Sequence, residues 1–292
     1  MLDIDTLKNS FRISKEFEGV FLLAAPAGTG KTTLCINILS EANGRSLYIT
    51  SEQTTDDVVE ICERVGSNPI NVRSEKNQDK IISMIEEGNY DYVVIDSFQE
   101  IIRTTTIASL WQDLRRLVDD SIIKGLIIIN QMNSYGKISG GTKGPHICDS
   151  VAVMSRSILY DGQVIVKVVK NRQGENSKGT RFSICENGFT YEGECSYDED
   201  HLKRISKIVT PKLRSHFNKS YNPLDLDKFS EDFGFVREAT QIAIKEMENE
   251  QLVVKVKDNT YKTVRVKSSE ETIKELYMCY KTFRKVLKKV WK

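Results

Sequence analysis

The chain has 292 residues, 39% of them hydrophobic and 28% charged, so it is long enough for one large or two ordinary domains with buried cores. No apolar run reaches the length of a membrane-spanning helix, and the N-terminus lacks the pattern of a secretory signal, so we expect a cytoplasmic protein without a membrane partner. Six scattered cysteines without a Cys-x-x-Cys pair favour free thiols over a zinc site.

Charge is divided unequally along the chain. Residues 201–292 carry 21 Lys/Arg and 12 Asp/Glu, a net charge of +9, whereas residues 1–200 carry a net charge of −8. Such a split indicates two parts, the second of which faces a polyanion. We favour nucleic acid as that polyanion, and a merely solvated basic surface is the alternative.

A glycine-rich loop follows the apolar run Val20–Ala24 and precedes a helical pattern. Strand, loop, Lys-Thr and helix form the context of a P-loop, whose backbone N–H groups surround phosphates. Lys31 is expected to reach the β- and γ-phosphates of ATP, and Thr32 is expected to bind Mg²⁺. Ala25 stands where the motif usually begins with glycine. The predicted nucleotide-binding residues are Ala25, Pro26, Ala27, Gly28, Thr29, Gly30, Lys31, Thr32 and Thr33.

Apolar runs alternate with helical periodicity between residues 19 and 130. Strands separated by helices predict an α/β fold with a mostly parallel, buried sheet. Ligands of such sheets bind beyond the carboxyl ends of the strands. The predicted strands are 20–24, 46–50, 92–95 and 126–129, with a weaker one near 70–72.

Polar side chains end three of these strands. Asp96 is expected to hold Mg²⁺ beside Thr32. Glu52 is the candidate general base for attack of water on the γ-phosphate, and an acid that merely favours a helix start is the alternative. Gln131 is expected to bind the γ-phosphate and to transmit its presence to the next loop.

A long loop rich in Gly, Ser, Asn and Lys is predicted between residues 132 and 145. Tyr135, Lys137 and Lys143 suit stacking and phosphate contacts with single-stranded DNA. Antiparallel strands are predicted after it, joined by turns at Asp161-Gly162 and Asn187-Gly188. Their ranges are 157–160, 163–169, 180–184 and 189–191.

The predicted domains are an ATPase core at 1–192, a linker at 193–204 and a basic domain at 205–292. Three helices and a hairpin in the last domain resemble a winged helix-turn-helix, followed by a basic helix at 270–292. Its third helix carries several glutamates, so DNA contacts are expected from the hairpin, and protein docking is the alternative. The hairpin candidates are Lys255, Lys257, Lys262 and Arg265.

These motifs resemble the RecA superfamily, and within it the compact, phage-type branch of the RadA/Sms-like ATPases. The motifs are the P-loop, Glu52, Asp96-Ser97, Asn130-Gln131 and Lys170-Asn171-Arg172-Gln173-Gly174. The resemblance implies that Lys170 and Arg172 reach the nucleotide of a neighbouring subunit, because neither has an evident target in its own. A basic turn is the alternative. Gln173 departs from the family's phenylalanine, and the family's zinc module and protease-like domain have no counterpart.

The resemblance implies a RecA-like ATPase that uses ATP and Mg²⁺ and forms an oligomer, either a ring such as a hexamer or a filament. It would act on single-stranded DNA in recombination, repair or replication, as a recombinase or as a DnaB-like helicase. The alternatives are a nucleotide-gated helicase loader whose winged helix docks a replication or recombination protein, and a regulatory ATPase of the KaiC type.

Overall fold

A computed structural model describes most of the chain. The described residues are 4–11, 17–101, 103–132, 138, 143–172, 174, 176, 179–195, 198–219 and 223–263. They fall into two compact units, Met1–Glu199 and Asp200–Lys292. None of the described helices is long and apolar enough to cross a membrane.

The first unit alternates strands and helices up to residue 131 and ends in antiparallel strands. Its helices are α1 (Ile4–Phe11), α2 (Lys31–Glu41), α3 (Thr55–Val65), α4 (Gln78–Glu87), α5 (Ile107–Asp119) and α6 (Lys143–Ile147). Its strands are β1 (Gly19–Ala25), β2 (Ser46–Thr50), β3 (Asn71–Ser74), β4 (Tyr92–Asp96), β5 (Gly125–Gln131), β6 (Ser150–Arg156), β7 (Gln163–Asn171), β8 (Thr180–Cys185) and β9 (Gly188–Glu194).

Among the described residues these strands form one sheet in the order β3-β2-β4-β5-β1-β6-β7-β8-β9. The strands from β3 to β6 in this order are parallel, and β7, β8 and β9 are antiparallel. Phe21 and Leu23 pack into one core cluster, whereas Val20 and Leu22 pack into the other. Successive side chains therefore pack alternately into the cores on the two faces of the sheet, and this is why the central strands are continuously apolar.

The predicted α/β fold and its parallel strands are confirmed, but one antiparallel strand is wrong. Residues 157–160 form a bend, and the strand at this place is β6. Ser157 stabilises the bend, because its Oγ accepts a hydrogen bond from the Tyr160 N–H at 3.0 Å. The turn at Asp161-Gly162 is confirmed, and Gly162 has the positive φ of 75° that favours glycine.

The second unit contains α7 (Glu199–Lys219), β10 (Leu224–Asp225), α8 (Leu226–Phe233), α9 (Arg237–Asn249), β11 (Val253–Lys257) and β12 (Thr260–Thr263). The described strands form an antiparallel sheet in the order β10-β12-β11. Three helices and a hairpin thus follow one another as predicted, and the winged-helix assignment stays a prediction.

The predicted linker at 193–204 includes the boundary between the two units at Glu199 and stays a prediction. It includes the end of β9 at Glu194, and α7 already begins at Glu199. Glu199, the last residue of the first unit, accepts a hydrogen bond from Ser157 Oγ at 2.7 Å. The acidic composition of this segment is typical of a linker, and the sequence does not reveal the long-range contact that orders it.

Candidate nucleotide site

The predicted phosphate-binding loop joins β1 to α2. Gly28 and Gly30 have φ angles of 69° and 92°, which L-residues with side chains rarely adopt. A Cβ atom at Gly30 would lie 2.7 Å from Phe189 Cζ, so packing against β9 also requires glycine there. Gly30 is the N-cap residue of α2 and offers no side-chain acceptor, which leaves the first N–H groups of the helix available to an anion.

Ala25 is fully buried as the last residue of β1, where it pairs with Gln131. The alanine that replaces the first glycine of the motif is therefore accommodated at the end of a strand.

Lys31 lies in the concave side of this loop. Its ammonium donates to the carbonyl of Pro26 at 3.0 Å and to that of Ala25 at 3.3 Å. Burial lowers the pKa of Lys31, and the charges of Asp96 and Glu52 act in the opposite direction. The lysine is thus already directed into the loop, where a phosphate would replace carbonyl oxygens as its partner.

Asp96 and Thr32 meet as predicted. Thr32 Oγ1 donates to Asp96 Oδ2 at 2.9 Å, and the buried Tyr48 hydroxyl donates to the same oxygen at 2.5 Å. Burial raises the pKa of the Asp96 carboxyl, while the hydrogen bonds from Tyr48 and Thr32 oppose that rise. A carboxylate beside a hydroxyl is a hard-oxygen donor set, so these residues fit Mg²⁺.

Sequence reasoning assigned no role to Tyr48. It lies in the middle of β2, where a tyrosine between Leu47 and Ile49 in a buried strand was the available signal. Burial is also the largest cause that raises the Tyr48 pKa well above its usual range, so the hydroxyl stays protonated and remains a donor to Asp96.

Glu52 and Gln131 also come together. Gln131 Nε2 donates to both oxygens of Glu52, at 3.1 and 3.2 Å. Ser97 Oγ donates to Glu52 Oε1, and Gln99 Oε1 accepts from the Gln131 N–H at 3.2 Å. Sequence analysis named Ser97 as part of a motif without giving it a role, and it missed Gln99, because polar residues after a strand carry no distinctive pattern. The residues that follow β2 and β4, together with the end of β5, therefore hold the Glu52 carboxylate at the same end of the sheet as the P-loop.

Lys170 and Arg172 lie near the amino-terminal ends of β1 and β6, whereas the P-loop follows the carboxyl-terminal end of β1. Asn171 pairs with Ser150, which in turn pairs with Phe21 near the start of β1. The P-loop begins at Ala25, four residues and about 13 Å further along β1. These cations therefore cannot reach a nucleotide held by the P-loop of their own subunit.

The expectation that Lys170 and Arg172 lack partners in their own subunit is wrong. Lys170 Nζ donates to the carbonyls of Pro145, His146 and Cys148 at 2.6, 3.0 and 2.7 Å. Arg172 Nη2 donates to the His146 carbonyl at 2.7 Å. Both cations thus bind carbonyls at the end of α6, a short helix that the loop prediction for residues 132–145 overlooked.

Asp149 joins this cluster and was also missed. It accepts from Arg115 Nη1 at 2.5 Å and from the Val20 N–H at 2.9 Å, and it lies 3.6 Å from Arg172 Nη1. A Cβ atom at Gly19 would lie 2.7 Å from Asp149 Oδ2. The carboxylate therefore connects β1, α5 and the segment after β7.

The predicted DNA-binding residues are only partly placed. Tyr135, Lys137 and Arg265 and the side chain of Lys143 lie outside the described residues, and the Lys143 backbone begins α6. In the hairpin, Lys255 lies opposite Tyr261 and Lys262 lies opposite Val254. Adjacent pairs point to alternate faces, so Lys255 and Lys262 are on different faces of the hairpin. Lys257 is exposed at the end of β11.

The chain is similar in sequence and in fold to known proteins. No protein-family model matches the chain. The DNA repair protein RadA of Bacillus subtilis is 27% identical over 187 residues, which cover 58% of this chain and 40% of RadA. The chain therefore spans less than half the length of that relative.

Solved structures show the same fold. Flagellar accessory protein FlaH from Methanocaldococcus jannaschii has a TM-score of 0.54 at 15% identity, covering 66% of this chain and 97% of FlaH. A second solved structure, an ATPase domain, has a TM-score of 0.53 at 13% identity, covering 65% of this chain and 89% of that domain. The chain resembles ATPases of the RecA superfamily in sequence and in fold. Its sequence similarity is to RadA.

Proposed function

We propose that this RecA-like protein hydrolyses ATP as an oligomer and uses the energy to act on single-stranded DNA in recombination, repair or replication. The observation that carries the proposal is the set of side chains at one sheet edge. Lys31 enters the P-loop, Thr32 meets Asp96, and Gln131 holds Glu52. RadA, which is similar over this core, is named a DNA repair protein.

The arrangement supports in-line hydrolysis of the γ-phosphate. The loop N–H groups and Lys31 bind the phosphates, and Thr32 with Asp96 would hold Mg²⁺. When bound, Mg²⁺ neutralises charge that develops on the β- and γ-phosphates. Glu52 accepts a proton from water as the water oxygen bonds to the γ-phosphorus. The bond from that phosphorus to the β–γ bridging oxygen breaks, and ADP and phosphate leave.

Gln131 supplies a trigger for this step. Its amide occupies both oxygens of Glu52, so the carboxylate has fewer lone pairs for a water proton. A γ-phosphate would offer the amide a charged acceptor and release the base. Gln131 directly precedes the loop proposed to hold DNA, and this connects the state of the nucleotide to the DNA.

Assembly follows from the position of Lys170 and Arg172. They lie on the sheet edge opposite the P-loop, so a cation from this segment can stabilise transition-state charge only at the P-loop of another copy. Such an interface is head-to-tail, which generates a ring if the rotation closes and a filament if it does not.

Mixing two inactive variants tests the proposal. Glu52→Gln should bind ATP and hydrolyse it at least about 100-fold more slowly, because the general base is lost. Arg172→Ala should also be slow, because the P-loop of its neighbour lacks a cation. In an equal mixture about a quarter of head-to-tail interfaces combine an intact Glu52 with an intact Arg172, so about a quarter of the parental rate should return.

The matched control mixes Glu52→Gln with Lys31→Ala. Both variants are defective in the P-loop half of the interface, so no interface in this mixture is complete and no activity should return. A mixture of Glu52→Gln and Arg172→Ala that is no faster than its components would contradict the shared site. A protein that hydrolyses ATP but is not stimulated by single-stranded DNA, and does not bind this DNA in a salt-dependent way, would instead favour the helicase-loader or regulatory alternative.

A further inference from the structure

Arg156 lies beside the P-loop although sequence reasoning gave it no role. It is the last residue of β6, which runs parallel to β1 with Val153 opposite Ala24. Both strands therefore end at the same edge of the sheet. Arg156 Nη2 donates to the carbonyl oxygen of Gly28 at 2.9 Å.

The guanidinium of Arg156 keeps most of its hydrogen-bonding capacity. A guanidinium has five N–H donors, and within the described residues Arg156 makes this one hydrogen bond and no ion pair. Three other arginines of this chain are paired with carboxylates. Arg115 pairs with Asp149, Arg116 with Glu86 and Arg214 with Glu250. Arg156 is thus an exposed cation fixed against the loop in which a polyanion is expected.

We propose that Arg156 is a nucleotide-binding residue that adds a positive charge to the P-loop from β6 and contacts the phosphate chain of a nucleoside triphosphate. The inference rests on the proposed function, because it assumes that the P-loop binds nucleotide. Its bond to Gly28 holds the guanidinium at the loop, and the remaining donors bind the phosphates. Charge-assisted hydrogen bonds to phosphate are roughly twice as strong as neutral ones, so the charge is the essential property.

Two substitutions separate this role from simple support of the loop. Arg156→Lys keeps the charge, whereas Arg156→Gln keeps a neutral donor for the Gly28 carbonyl. Binding of fluorescent ATP and ADP analogues to the full chain is measured at about 50 and 200 mM salt, together with the melting temperature. We expect Arg156→Gln to weaken ATP binding about tenfold and ADP binding less, with the larger loss at low salt. Arg156→Lys should stay within about threefold of the parent.

Arg73→Gln is the matched control. Arg73 is also an exposed strand arginine that donates to a backbone carbonyl, that of Val72 at 3.0 Å. It lies on β3, four strands from β1 and hence about 19 Å from the loop. Its substitution should leave nucleotide affinity unchanged.

Lys31→Ala in the same assay separates the two hypotheses. If the parent binds no ATP, or Lys31→Ala binds as well as the parent, the proposed nucleotide site is wrong. If Lys31→Ala loses binding while Arg156→Gln binds like the parent, Arg156 has no such role. Equal weakening of Arg156→Gln and Arg156→Lys, with a lower melting temperature for both, would also overturn the inference in favour of loop support alone.

Discussion

At the scale of single residues, Asp96 is buried in the candidate site, where its charge suits metal binding but lowers the stability of the folded chain. Asp96 is 7% exposed, and burial is the main cause that raises its pKa. A raised pKa means that the folded state binds a proton more tightly than the unfolded state does. The ionised form at neutral pH therefore lowers the stability of the folded chain.

Asp96→Asn should consequently stabilise the protein without Mg²⁺. The amide oxygen can still accept the hydrogen bonds from Thr32 and Tyr48, and no charge is buried. We expect the melting temperature at neutral pH to rise by a few degrees, and the difference from the parent to shrink as pH falls and Asp96 becomes protonated. Thermal unfolding across pH measures this. Mg²⁺ should stabilise the parent with ATP but not the variant.

The corresponding change of an acid to its amide at an exposed position is the control. Glu60 is exposed on α3, so Glu60→Gln should change the melting temperature little at any pH. A variant Asp96→Asn that melts below the parent at neutral pH would mean that the carboxylate is a net stabilising acceptor.

At the scale of secondary-structure elements, the cations after β7 are attached to α6. Lys170 binds three carbonyls of the segment that includes the end of this helix. The segment directly follows the loop proposed to contact DNA, so DNA bound there would act on the same carbonyls. Lys170 thus lies between the proposed DNA loop and the proposed contact with the neighbouring subunit.

Lys170→Ala should lose DNA-stimulated hydrolysis and keep nucleotide binding, because the affected segment is far from the P-loop of its own subunit. Steady-state ATPase rates with and without single-stranded DNA, beside nucleotide titrations, measure the two properties. Lys124→Ala is the control, since Lys124 is an exposed lysine that pairs with Asp91 at 2.8 Å. Full ATPase activity in a strictly monomeric parent preparation would contradict the role in a neighbouring site.

The sequence predicted elements well where the pattern is local. The parallel strands are apolar runs of the right length, and their polar ends meet because parallel strands share an edge. Long-range contacts were not predictable. Asp149 lies 129 positions from Val20, and the acceptors of Lys170 are backbone carbonyls in α6 and just after it, which no side-chain pattern reveals. Arg156 was overlooked because its strand was placed too late in the sequence.

At the scale of the whole molecule, charge separates the core from the second unit. The core is acidic overall, while residues 201–292 carry a net +9. Long-range attraction to DNA should therefore come mainly from the second unit. The lysines of its hairpin are divided between two faces, which favours a diffuse electrostatic contact over the reading of a base sequence.

Deleting residues 270–292 removes seven Lys/Arg and three Asp/Glu, a loss of +4. Affinity for single-stranded DNA should fall, and its dependence on salt should flatten, because fewer phosphate contacts release fewer counterions. Basal ATP hydrolysis should persist. Binding titrations across salt concentrations measure both effects. The double substitution Lys257→Gln and Lys262→Gln in the intact chain should cause a smaller loss of DNA affinity. Unchanged affinity and slope after the deletion would assign the tail to a protein partner.

Because Lys170 and Arg172 lie away from the P-loop of their own copy, the proposed assembly fixes how many complete sites a given number of copies can form. In an open row of head-to-tail copies, the last P-loop at one end meets no cation, and the last cation at the other end meets no P-loop. A row of two copies then contains one complete site, so its turnover per copy is half that of a closed ring. If the proposed shared site is right, short assemblies should be slow, and activity per copy should rise with length until closure removes both ends.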